Sequence, residues 1–86
     1  MYCIELTIKL TPMPLVVQRK EHVDAQSLYS EVVDAIQKGN QRLLELTCEK
    51  VADKRITILV SEITAVQIYE KTSSSTSKRP GFSLQD

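Results

Sequence analysis

Glu5, Glu45 and Glu49 are the carboxylates that this chain could bring together for acid–base work, because each occupies an alternate position in a strand-like run. A working pair needs a cleft that drives one pKa away from the other, and an open sheet face supplies none. Thr7, Lys9 and Thr47 are interleaved with them, so the pattern reads as cross-strand polar pairing. With Gln18, Thr57 and Gln67 they would form a polar sheet face turned away from the core. No catalytic residue is expected, and the chain is not expected to be an enzyme.

Arg19-Lys20-Glu21-His22 is the sharpest polar cluster. A basic strand end beside a helix N-terminus can hold an anion, because the first helical N–H groups are unpaired. Against this, Asp24 already brings negative charge to that terminus. Gly39 and Gly81 are the only glycines, which excludes a phosphate-cradling loop. Arg19, Lys20 and His22 therefore stand as an alternative site for an anion or small molecule, second to a protein-interaction reading, and His22 itself reads as a loop residue.

His22 is the sole histidine, and Cys3 and Cys48 form no CxxC pair. Structural zinc takes four ligands, so neither a metal nor a cofactor is expected. By strand parity Cys3 falls with the polar positions and Cys48 with the apolar ones. A disulfide needs Cβ atoms that converge, so both are expected as free thiols.

The last candidate lies at the C-terminus. Ser73, Ser74, Ser75, Thr76 and Ser77 precede Lys78-Arg79, and Phe82 and Leu84 are the apolar anchors that follow. A segment this polar buries too little to offset its conformational entropy. Residues 72–86 are therefore expected to be a flexible tail, with Lys78, Arg79 and Phe82 as candidate contacts to a partner, or a carrier of phosphates that pair with those basic groups.

The elements that must position these groups show in the periodicity. Tyr2, Ile4, Leu6, Ile8 and Leu10 alternate with Cys3, Glu5, Thr7 and Lys9, which predicts a strand over 2–10 with one buried face. Pro12 and Pro14 end it. A second strand is predicted over 15–22, its charged end suited to a sheet edge. From Ala25 the spacing of Leu28, Val32 and Ile36 predicts an amphipathic helix over 25–38, with Asp24 as N-cap and Gly39 as its stop. Leu44, Leu46 and Cys48 share one face of a third strand. Residues 50–54 form a connection, 55–60 a fourth strand and 65–71 a fifth, with a turn or bulge at 61–64. The order β-β-α-β-β-(β) implies a two-layer α+β domain over 1–71, one helix on a mostly antiparallel sheet.

Composition narrows the function classes further. The chain has 86 residues, with eleven basic and eleven acidic side chains. Nucleic-acid binders usually carry a basic excess, so no nucleic-acid role is expected. No apolar run reaches the roughly 18–20 residues that span a bilayer, so no membrane insertion is expected. Without a secretory leader pattern, the expected compartment is the reducing cytoplasm. The partner expected is another protein of unknown identity, and an open sheet edge adds pairing with a second copy.

MYCIELTIKLTPMPLVVQRKE, LLELTCEK, LVSEITAVQIYEK and the closing KRPGFS, in that order, resemble a small family of conserved hypothetical proteins of cyanobacteria. The similarity runs over nearly the whole chain. It implies a cytoplasmic protein of a photosynthetic organism and carries no activity, ligand or catalytic residue. Because KRPGF belongs to the resemblance, it favours a docking role for the tail.

Overall fold

The N-terminal alternation forms β1, Tyr2–Ile8, in a computed structural model that describes residues 1–71. The expected tail, with Lys78, Arg79 and Phe82, lies outside the described residues. β1 stops two residues earlier than its period suggests. The Thr11 N–H donates to the Ile8 carbonyl at 3.1 Å, so the turn starts ahead of Pro12. Leu10 takes a left-handed φ of 61° and is 97% exposed rather than buried.

β2, Leu15–Arg19, is also shorter than expected, and the helix α1, His22–Lys38, starts correspondingly sooner. Glu21, not Asp24, stands at the N-cap position, and no side chain caps the helix. The backbone closes that turn instead, Ala25 N–H donating to the Glu21 carbonyl at 3.0 Å. Asp24 lies inside the first turn, where its charge suits the helix dipole. His22 is helical rather than a loop residue. At the other end Gly39 adopts φ 67° and donates its N–H to the Ala35 carbonyl at 3.1 Å, the glycine stop that the sequence predicts.

β3, Leu43–Thr47, and β4, Arg55–Leu59, form a hairpin. A single 3-10 turn over Val60–Glu62 then leads into β5, Ile63–Glu70. The strands divide between two antiparallel sheets, β2-β1-β5 and β3-β4. The fold is α+β, with the β-β-α-β-β-β order expected. One face of each sheet and the inner stripe of α1 share a core. Ile4, Leu6 and Val17 come from the larger sheet, Ala25, Leu28, Val32 and Ala35 from the helix, and Leu44 and Leu46 from β3. No charged side chain is buried among the described residues. Burying a leucine in such a core contributes about 1.5–3 kcal/mol, so Leu44 and Leu46 are the hairpin's main apolar anchors to the rest.

Candidate functional site

The two edges of the β2-β1-β5 sheet are built differently. In an antiparallel ladder, alternate residues turn their N–H and C=O toward the same neighbour. On β2 the residues paired with the even positions of β1 face inward, which leaves Val16, Gln18 and Lys20 facing out. Four of these six outward groups have a partner. Gln18 N–H donates to Cys48 Sγ at 3.3 Å, and Gln18 C=O accepts from Glu49 N–H at 3.0 Å. Lys20 N–H donates to Glu49 Oε1 at 2.7 Å, and Lys54 Nζ donates to the Val16 carbonyl at 3.2 Å. The end of β3 and its hairpin loop close this edge without extending the ladder.

Arg19 is the staple of that seam. Its Nη1 donates to the Thr47 carbonyl at 2.6 Å and to the Gln18 carbonyl at 2.9 Å, and Nη2 lies 3.4 Å from Thr47 Oγ1. Lys20 contributes its backbone N–H to the Glu49 carboxylate. His22 stands edge-on to the Tyr2 ring at 5.1 Å and 3.4 Å from Gln26 Nε2. Arg19 thus serves the chain's own acceptors, and a carboxylate sits against the backbone of Lys20.

Cys48 belongs to the same seam. Burial works to raise the pKa of its thiol, but the backbone N–H groups of Val51, Gln18 and Lys50, with the Lys54 charge, outweigh that and leave it lowered. Cys3 and Cys48 are both buried and both free.

The polar residues expected on one face fall on two. Glu5, Gln18 and Gln67 share the outer face of the larger sheet, where Gln67 Nε2 donates to Glu5 Oε1 at 2.9 Å. Glu45 is on the outer face of the hairpin, 3.7 Å from Arg55, and Glu49 is in the seam. The three carboxylates do not converge. Cys3 lies on the outer face of the larger sheet, in one row with Gln18 and Tyr69, and is only 2% exposed. Burial pushes the Tyr69 phenol above its usual range, and the neighbouring Glu5 carboxylate and Cys3 thiol add to the shift.

The β5 edge is open. Lys71 N–H donates to the Met1 carbonyl at 2.9 Å, so Lys71, Tyr69 and Gln67 turn toward β1. Val66, Ile68 and Glu70 then present their N–H and C=O groups outward, and no strand pairs with them among the described residues. From Ile63 to Tyr69 there is no charge, proline or glycine to blunt the edge, and the one irregularity is a register shift at Thr64, near the start of the strand. The sequence holds that signal, but it is obscured by the more conspicuous charges at 19–22.

A recess of about 500 Å³ lies between the end of α1 and the start of β5, lined by Ile36, Asn40, Arg42, Val60, Ser61 and Ile63. No histidine, cysteine or carboxylate lines it. Among the described residues, no cluster of histidine, cysteine and carboxylate side chains could hold a metal ion, and no helix is long and apolar enough to cross a membrane.

Comparison with known proteins finds a match to the UPF0367 protein family over residues 3–71. A UPF0367 protein of Prochlorococcus marinus strain NATL1A is 84% identical over 86 residues, the full length of both chains. One from Synechococcus sp. strain CC9311 is 57% identical over 96% of this chain and 76% of its own. Another, from Prochlorococcus marinus strain MIT 9303, is 56% identical over 99% of both. No solved structure matches the chain.

Proposed function

We propose that this chain, which belongs to the UPF0367 protein family, is a non-enzymatic protein-interaction module that binds through the β5 edge and the adjoining outer sheet face. The observation behind this reading is the contrast between the two edges. On β2 most outward backbone groups are answered by Cys48, Glu49 and Lys54, whereas among the described residues those of β5 meet no strand, along a stretch that carries no charge before Glu70. An open edge of this kind accepts another strand, with main-chain hydrogen bonds giving affinity and alternate side chains giving specificity. The buried free thiols suit a reducing compartment, and the proposed setting is the cytoplasm.

A photo-crosslinking residue at Thr64, compared with one at Thr57 on the hairpin, tests the reading in native cell extract. Protein adducts are expected from position 64 and not from position 57. Adducts that form equally at both positions, or at neither, would overturn it.

A further inference from the structure

We propose that the recess between the end of α1 and the start of β5 binds a small aliphatic amino acid. It lies apart from the open edge, whose outward backbone groups are those of Val66, Ile68 and Glu70. At about 500 Å³ it has the size of a small-molecule site, where an apolar floor is joined to a few placed polar groups.

The need for an apolar group comes from the helix stripe. Leu28 and Val32 are 7% and 0% exposed, but Ile36, next at the same spacing, is 39% exposed. Ile36 borders the recess together with Val60 and Ile63, both otherwise buried. The stripe thus runs out over an opening that no other side chain among the described residues fills. An aliphatic side chain placed there would take the exposed part of Ile36 out of water.

Charge sets what the rest of the ligand carries. Among the described residues Arg42 is the one charged side chain that lines the recess, and no ion pair or hydrogen bond engages its guanidinium. Its backbone is held in place, Val60 N–H donating to the Arg42 carbonyl at 2.9 Å. A guanidinium beside an apolar floor suits a carboxylate, which it can meet with two parallel hydrogen bonds.

The facing wall has the opposite sign. Ile36 and Gly39 stand at the carbonyl end of α1, the negative end of the helix dipole. Gly39 N–H closes on the Ala35 carbonyl, and no backbone N–H among the described residues reaches the carbonyls of Ile36, Gln37 or Lys38. Lys38, the cation of the last turn, pairs with Asp34 at 3.4 Å instead. Free carbonyls suit an ammonium and repel a second negative charge, which tells against a phosphate. One guanidinium, one carbonyl end and one apolar floor match the carboxylate, the ammonium and the side chain of leucine.

The test is a titration of the full chain followed by the NMR signals of its amides. Leucine should shift Ile36, Gly39, Ser61 and Ile63 saturably, with a dissociation constant of about 1 mM or tighter. Isocaproate lacks the ammonium and isoamylamine lacks the carboxylate, so each should bind at least about 5-fold more weakly. Inorganic phosphate should leave these signals in place. Arg42→Gln should weaken leucine by about 5- to 30-fold while the urea midpoint stays unchanged, because the guanidinium holds nothing else in the fold. Absence of a saturable shift, equal binding of leucine and isocaproate, a matching shift with phosphate, or an Arg42→Gln chain that binds as the wild type does would each overturn the proposal. So would a shift of the same amides on Phe82→Ala with no ligand present, which would give the recess to the chain's own C-terminal segment.

Discussion

Replacing Arg19 by alanine separates two roles for the basic cluster, because a structural staple and an anion-binding residue fail in opposite ways. The guanidinium donates at 2.6 Å and 2.9 Å to the carbonyls of Thr47 and Gln18, one on each side of the seam. Hydrogen bonds with a charged partner contribute about 1.5–3 kcal/mol, and solvent exposure of this pair lowers that, so Arg19→Ala should cost about 1–2 kcal/mol. A domain of about 70 residues has a total stability of about 4–10 kcal/mol, so such a loss is readily measured. Urea unfolding should show a lower midpoint with an unchanged slope. Hydrogen exchange should quicken at Gln18, Lys20 and Glu49, whose amides lie along the seam, before it quickens in the core of α1. Arg19→Lys keeps the charge but loses the planar guanidinium whose Nη1 meets both carbonyls while Nη2 faces Thr47 Oγ1, and should fall between. If Arg19→Ala leaves the midpoint and the seam amides unchanged while abolishing a thermal shift produced by phosphate, the staple reasoning is refuted and the anion reading gains.

Two further outcomes follow from the titrating groups. The Cys48 thiol is lowered from its usual 9.0, so its ionised form favours the folded state. That contribution is present above about pH 9 and is lost as the pH falls through the lowered value. The stability gap between wild type and Cys48→Ala should therefore widen from pH 7 to pH 9.5 in urea unfolding, and a constant gap would contradict the cradle of N–H groups. Tyr69 is shifted the other way, so its contribution is complete below about pH 10 and declines as the pH rises beyond. Ultraviolet titration should find Tyr69 ionising above the usual tyrosine range, and Glu5→Gln should lower its value in part.

Most of the fold is legible in the periodicity, and the exceptions have physical causes. The Leu28, Val32 and Ile36 spacing locates α1 and Gly39 marks its end, but not its first turn, because that turn is closed by the Glu21 carbonyl and needs no capping side chain. Alternation over 43–47 and 55–59 identifies β3 and β4 without saying which sheet they join. That is decided by Cys48, Glu49 and Arg19 meeting across about 30 positions of sequence. Parity placed Cys3 on the outer face correctly, but its burial depends on Tyr69, which lies opposite it only after the β1–β5 register is set. The site followed the same logic. Charges at 19–22 draw attention in a sequence, yet of these the Arg19 guanidinium serves the closed edge, while the open edge is marked by the absence of charge from Ile63 to Tyr69.

The central position of β1 also governs when the domain can form. Its inner neighbour β5 is the last described strand, and the Glu5–Gln67 contact joins residues 62 positions apart. Closing so long a loop costs entropy before any ladder bond compensates for it, so folding is expected to be slow for a chain of this size. During synthesis, β1 and β2 can pair as a hairpin and α1 can nucleate, but β1 keeps one side unsatisfied until residue 70 has left the ribosome. The growing chain therefore passes through a stage in which the free side of β1 is an open edge, and the arrival of β5 covers it while presenting its own outer side in its place.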